Sequence, residues 1–250
     1  MRPKRESSPV FSVHDSPNSQ ISQIGQINLT TEPREASPSR SAVPGPRLLF
    51  VAADPYRGNR LRLDREVRTV EEALRSSGLE DRFSLEQLWA ATFLDLQHAL
   101  LRHQPAVLHF SGHGTPSGEL TLERDLQVPS ENRRSDLNDQ RPVEALARML
   151  GAIDDSGLRC VVLNACFSEV QAADIAKHAD CVVGLFAEVH DSAAIEFARG
   201  FYGALAWGQS VQAAFDLGVA QVKSQSDAGL YRLIAPKTDP RTVKLLESPR

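Results

Sequence analysis

Cysteine, aromatic residues and positive charge are all in short supply in this chain of 250 residues, and each shortage excludes something. Three cysteines, an odd number lying within or beside apolar runs, do not make a disulfide framework and suit a reducing cytoplasm. A net charge of −4 leaves no basic stripe to neutralise a phosphate backbone, so direct nucleic-acid binding is not expected. The Arg-rich stretch from Arg57 to Arg68 is interrupted by Asp64 and Glu66, as in a solvated helix face. No run approaches the roughly 18 apolar residues that would span a bilayer. The basic start Met1-Arg-Pro-Lys-Arg5 passes into Glu6-Ser-Ser-Pro9 rather than into the apolar stretch of a signal peptide. There is no internal repeat. The expectation is a cytoplasmic protein with no direct nucleic-acid or membrane partner.

The hydrophobic content of 41% is a little low for a compact chain, and the deficit lies at one end. Residues 1–46 are rich in Ser, Pro and Gln with Phe11 as their one aromatic, the composition of a disordered arm. From Arg47 onward, apolar strands alternate with amphipathic helices, which predicts one domain over 47–236 followed by a short tail, 237–250. Strands are expected at Leu48–Ala52, Phe83–Leu88, Ala106–Phe110, Cys160–Leu163, Cys181–Leu185 and Leu230–Ile234. Helices are expected from Leu63 towards Gly78, after a Thr92 cap, over Pro142–Leu150, Ser168–His178, Ser192–Trp207 and Ser210–Lys223. A hairpin is expected between Glu119–Leu122 and Leu126–Val128, with a polar loop over Pro129–Arg141. Alternation of this kind predicts an α/β fold with a mainly parallel sheet covered on both faces.

Two motifs at strand ends carry the chemistry: His109-Phe-Ser-Gly-His-Gly114 and Leu163-Asn-Ala-Cys166. In a parallel sheet, ligands bind outside the carboxyl ends of the strands, so neighbouring strands would bring an imidazole and a thiol together there. His113 precedes Cys166 by 166 − 113 = 53 residues, the order and spacing of the caspase dyad. A thiol needs a base to become a good nucleophile, which makes His113 the candidate base and Cys166 the candidate nucleophile. The helix expected after Cys166 should lower the thiol pKa through its positive end. The amides of Gly114 and Cys166 are candidates for an oxyanion hole. Cys160 and Cys181 sit inside apolar runs and read as small core residues, and His98 and His103 read as surface residues. No further Cys or His is placed to complete a metal site, and no cofactor is expected.

Phe110-Ser-Gly-His-Gly114, Leu163-Asn-Ala-Cys166, Leu61-Arg-Leu-Asp64, Asp191-Ser-Ala-Ala-Ile-Glu-Phe-Ala198 and Phe201-Tyr202 together resemble the CHAT domain, a caspase-like domain often found with tetratricopeptide repeats. The likeness runs from about Arg47 to Ile234. It implies a caspase-like (caspase-hemoglobinase) three-layer α/β sandwich of the clan that includes caspases, separases and gingipains. It also implies a His113–Cys166 peptidase that cleaves a partner protein in bacterial defence or regulated cell death, under control of a sensor. A caspase-like adaptor that binds partners without cutting them is the alternative. Where caspases carry Gln two residues before the nucleophile, this chain has Asn164, whose neutral amide does not select a charged substrate residue. Asp191, and more weakly Asp54, are the charged candidates for lining the substrate pocket and would favour a basic side chain. Asp191 reads equally as the cap of the helix that follows it.

The arm holds one uncharged stretch, Asn18-Ser-Gln-Ile-Ser-Gln-Ile-Gly-Gln-Ile-Asn-Leu29, with Ile at every third position and Gln before each. Such segments stack as cross-β zippers, and Gln23-Ile24-Gly25 resembles part of an Ile-Gln-Ile-Gly amyloid signalling motif. An ordinary linker is the other reading. If the motif operates, it would recruit a sensor or activator protein and promote self-association.

Overall fold

The computed structural model describes residues 45–56, 61–76, 83–125, 138–141, 144–153 and 157–246, all within the unit spanning residues 42–250. The arm over 1–44, with its Ile and Gln stretch, and the expected strand Leu126–Val128 lie outside the described residues.

Six strands form the main sheet: β1 (Arg47–Ala53), β2 (Ser84–Trp89), β3 (Val107–Gly112), β6 (Cys160–Asn164), β7 (Cys181–Leu185) and β8 (Tyr231–Ile234). Their order is β2-β1-β3-β6-β7-β8, parallel except for β8, which runs antiparallel to β7. After β1 the chain builds outward to β2, then returns to the other side of β1 for β3. The reversal opens a crevice between the carboxyl ends of β1 and β3, where open α/β sheets bind ligands.

Alternation along the strands divides the core in two. Leu48, Phe50, Ala52, Val107, Cys160, Val162, Cys181 and Val183 face α1 (Leu63–Arg75), α5 (Asp191–Ala206) and α6 (Val211–Gln221). Leu49, Val51, Leu108, Phe110, Val161, Leu163 and Val182 face α2 (Phe93–His103), α3 (Glu144–Ala152) and α4 (Glu169–Ile175). Central strands buried on both faces need apolar residues at every position, and their sequences supply them. The α/β sandwich with helices on both faces therefore stands as expected. Cys160 and Cys181 are fully buried partners across β6 and β7, and burial pushes the Cys181 thiol up to about 11.

Helix ends follow local chemistry. α1 has Asp64 and Glu66 in its first turn and Arg75 in its last, as the helix dipole favours. At α2, the Thr92 hydroxyl accepts from the Asp95 amide while the Asp95 carboxylate accepts from Thr92, a complete capping box. No helix among the described residues is long and apolar enough to cross a membrane.

Three local expectations are corrected. The partner of β4 (Leu120–Glu123) is β5 (Asn138–Arg141), antiparallel, so the end of the expected polar loop is a strand. Asn-Asp-Gln-Arg has no apolar alternation, and its pairing with β4 is made by backbone groups. A short helix, α7 (Gln225–Ala228), precedes β8 under a Ser224 cap. Residues 237–246, set apart as a tail in the sequence reading, pack into the core: Val243 and Leu246 are buried, and Val211 donates to the Val243 carbonyl.

Phe197 is the aromatic hub of the α5 layer. It stacks on Tyr231 at 4.2 Å and on Phe201 at 5.4 Å, and meets Phe215 edge-on at 6.1 Å. Phe197→Ala should therefore cost about 3–5 kcal/mol of unfolding free energy, measured by urea denaturation, with Leu217→Ala on the exposed side of α6 as a near-neutral control.

Candidate active site

The pairing of β3 with β6 sets the site. Every register pair has the same offset, 160 − 107 = 53 and 164 − 111 = 53, which is also 166 − 113. His113 and Cys166 each lie two residues beyond the last pair, Ser111 and Asn164, so the same register continued outward would set them opposite each other. The same alternation puts His109 and Ser111 on one face of β3 and Asn164 on the matching face of β6, the face that His113 and Cys166 would share if the strands ran two residues further.

The loops beyond the strands are close-packed. A Cβ on Gly114 would lie 1.9 Å from the Cys166 carbonyl oxygen, so only glycine lets the two backbones meet. That contact brings the Gly114 and Cys166 amides, the expected oxyanion donors, into one neighbourhood. The His113 carbonyl accepts from the Thr121 amide of β4 at 3.0 Å. On the other loop, Phe167 adopts φ +57°, a left-handed conformation costly for a bulky residue, and turns the chain sharply after Cys166. Buried Ser168 clamps the turn, donating to the Leu163 carbonyl and accepting from the Leu185 amide, each at 3.0 Å. Gln171 of α4 donates to the Gly118 carbonyl at 2.7 Å and so ties the two loops together.

His113 has a specific partner. Its Nε2 lies 3.0 Å from Asp54 Oδ1 at the end of β1, with the side chains 18% and 15% exposed, and Tyr56 packs edge-on at 4.8 Å. A carboxylate can only accept, so Nε2 carries the hydrogen of this bond. Asp54 Oδ2 also accepts from the Leu61 amide, which fixes the carboxylate. Asp54 borders a cleft of about 350 Å³ walled by Leu61, Leu63, Trp89 and Glu123. Burial raises the Glu123 carboxyl; the Asp54 amide opposes this and the Asp54 charge adds to it.

The Cys166 thiol departs from expectation. Burial raises its pKa above the ordinary value; the Val189 amide and its own amide oppose that rise, while the charge of Glu188 adds to it. The predicted lowering by the following helix is therefore overturned. α4 has only seven residues and begins at Glu169, so its end does not outweigh desolvation.

Asn164 is buried, donates through Nδ2 to Glu66 Oε1 at 2.5 Å, and leaves its buried Oδ1 without a hydrogen-bond partner. Asp191 neither caps α5 through its side chain nor stands alone, because its Oδ2 pairs with Arg62 Nε at 2.5 Å and the cap position is His190. Sequence reasoning missed a buried network below the dyad. Glu66 of α1 accepts from His109 Nε2 at 2.8 Å and from Ser111 Oγ at 2.5 Å, besides Asn164. His109 Nδ1 reaches Tyr202 Oη of α5 at 2.7 Å. Burial pushes the Glu66 carboxyl up, but the hydrogen bonds and charge of His109, with the bonds from Ser111 and Asn164, outweigh it and hold it below the ordinary 4.5.

The CHAT domain family model matches residues 17–230. The chain is similar to a Roc-COR-CHAT protease from an unknown prokaryotic organism, 26% identical over 158 residues, which cover 62% of this chain and 14% of that relative. Among solved structures it is similar to a secreted C11 cysteine protease from Bacteroides thetaiotaomicron in complex with an irreversible peptide inhibitor, with a TM-score of 0.44, 14% identity and coverage of 70% of this chain and 58% of that one. It is also similar to caspase-1 from Spodoptera frugiperda, with a TM-score of 0.49, 10% identity and coverage of 82% and 90%.

The depressed Glu66 carboxyl makes stability depend on pH. Its contribution is complete above the ordinary 4.5 and is lost as pH falls through the lower native value. Glu66→Gln should cost about 1.5–3 kcal/mol at pH 7, and the gap from wild type should shrink on acidification below 4.5. Denaturation midpoints across pH check this.

Proposed function

This chain belongs to the CHAT domain family, and on that footing we propose that it is a cysteine endopeptidase with Cys166 as nucleophile and His113 as general base. One observation carries the reading: the common 53-residue offset of β3 and β6 extends to His113 and Cys166, with the Gly114 backbone against that of Cys166. Asp54 is assigned to His113, holding Nε2–H so that Nδ1 can take a proton.

In the proposed reaction the thiol proton passes to His113 as sulfur attacks the scissile carbonyl carbon. The carbonyl oxygen becomes an oxyanion, for which the Gly114 and Cys166 amides are the donors. The imidazolium then gives its proton to the leaving amine as the C–N bond breaks, and water hydrolyses the thioester with His113 again as base. A thiol pKa raised by burial suits proton removal in step with attack rather than a preformed ion pair. Recognition of a basic substrate residue by Asp191 would require it to exchange Arg62 for the substrate cation.

The chain spans 14% of the length of the curated relative it matches, so its biological role is a further proposal. We assign it as a regulated effector that cleaves a partner protein in bacterial defence or cell death. Activation would come through a sensor whose segment pairs with residues 18–29. The raised Cys166 thiol is the one observation that favours the non-cleaving adaptor, and the paired Asp54 and His113 weigh against it.

Cys166→Ala and His113→Ala should each abolish cleavage of the partner protein on a gel, and Asp54→Asn should lower kcat by about a hundredfold or more, while Cys160→Ala stays active. Cleavage by Cys166→Ala at the wild-type rate sinks the nucleophile assignment. Replacing Ile24 by Pro should abolish both dye-binding fibrils of peptide 18–29 and response to the activating partner, since proline removes a ladder donor. A normal response from the Ile24→Pro protein makes the arm a linker.

A further inference from the structure

We propose that Glu66, on the first helix, is the positioning residue of the His113–Cys166 site, its carboxylate tying together the two strand ends that carry the reacting side chains. This rests on the peptidase reading above and adds a residue to it.

Ser111 and Asn164 are Cα partners, the last rung of the β3–β6 ladder. Each is two residues short of a reacting side chain. Both donate to Glu66: Ser111 Oγ to Oε2 and Asn164 Nδ2 to Oε1, each at 2.5 Å. A third donor, His109 Nε2, reaches Oε1 from one step lower on β3 at 2.8 Å. One carboxylate on a third element therefore grips both strands immediately beneath the dyad. The Tyr202 hydroxyl of α5 lies 2.7 Å from His109 Nδ1, which holds the ring with Nε2 towards Glu66.

Stability alone does not call for this arrangement. Glu66 is 1% exposed and sits in a layer that is apolar apart from Thr69 and the groups of its own network. Well-packed hydrophobic residues in place of buried charged groups are often as stable or more so. What a carboxylate supplies, and an apolar residue or an amide cannot, is two oxygens that accept from three convergent donors. Glutamine would turn an NH2 group towards one of them, and that strand end would shift. Displacements of about 1 Å in a reacting group cost on the order of a hundredfold in rate.

The titratable groups facing Glu66 are His109 of β3 and Tyr202 of α5, with Cys160 of β6 and Tyr231 of β8 nearby in the same layer. Around the dyad they are Asp54 and Tyr56 against His113, and Glu188 near Cys166. The variants below change none of these partner groups; the titratable residues they replace are Glu66 itself and, as controls, His113 and Cys166.

The test uses the full chain and iodoacetamide, followed by intact mass, with Cys166→Ala identifying the reacting thiol. In wild type, His113 accepts the thiol proton as sulfur bonds to carbon and iodide leaves. The alkylation rate measured from about pH 5.5 to 9 should carry a step that His113→Ala removes. Glu66→Gln and Ser111→Ala, folded by circular dichroism, should lose about tenfold or more of the rate at pH 7 and approach the His113→Ala profile, while Glu66→Asp recovers part of it. Folded Glu66→Gln and Ser111→Ala proteins with the wild-type rate and step would overturn the proposal and leave Glu66 a structural group. If Glu66→Gln does not fold, Ser111→Ala decides alone, since it removes one hydroxyl and leaves little cavity. An unchanged profile in His113→Ala is a different failure: it removes the dyad, and the positioning role falls with it.

Discussion

The site depends on the parallel pairing of β3 with β6. A parallel ladder has one register that keeps both apolar faces buried, because a slip of one residue would turn Leu108, Phe110, Val161 and Leu163 into the opposite layer. The core thus decides the alignment of residues that lie beyond it. His113 and Cys166 are not held by contacts of their own so much as delivered by the burial of the strands behind them. The loops then refine the delivery, through the Gly114 contact on one side and the Ser168 clamp on the other.

A layered electrostatic arrangement follows from the same alternation. From His109 and Ser111 to His113, the environment passes from a closed network around Glu66 to a half-buried imidazole paired with Asp54. Two carboxylates serve the two levels differently. Glu66 is enclosed by donors that hold its carboxyl below the ordinary value; Asp54, at the rim of the cleft, orients the half-buried His113 ring. Between them Asn164 donates from its one amide nitrogen, Nδ2, to Glu66 and to the Ala194 carbonyl, and its Oδ1 is buried without a hydrogen-bond partner.

Much of the scaffold was legible in the sequence because buried strands announce themselves. Val107–Phe110, Cys160–Leu163 and Cys181–Leu185 are apolar runs that end in small or polar residues, and the structure starts and stops them within a residue or two of expectation. β5 was not legible, since Asn138–Arg141 offers no side-chain signal and its strand identity comes from the backbone of β4. The Glu66 network was missed for a different reason. Inside Leu61-Arg-Leu-Asp-Arg-Glu66 a glutamate looks like one more solvated charge, and only its position beside Val67 and Val70 on the buried face distinguishes it. The signal available was period two: His109 and Ser111 share a face, and two buried polar residues below a candidate base require a common partner. The lowered thiol pKa was misjudged because a helix end was weighed without the burial that accompanies it.

The absence of room at Gly114 has a mechanical meaning. With no side chain between them, the loop after β3 and the loop after β6 touch backbone to backbone, and Gln171 joins them again at Gly118. Loops fastened at two points behave as a single plate rather than two flaps. A push delivered anywhere along that plate, whether at β4 through Thr121 or at α4 through Gln171, reaches the imidazole and the sulfur together, so the distance between them is the last thing such a push would change.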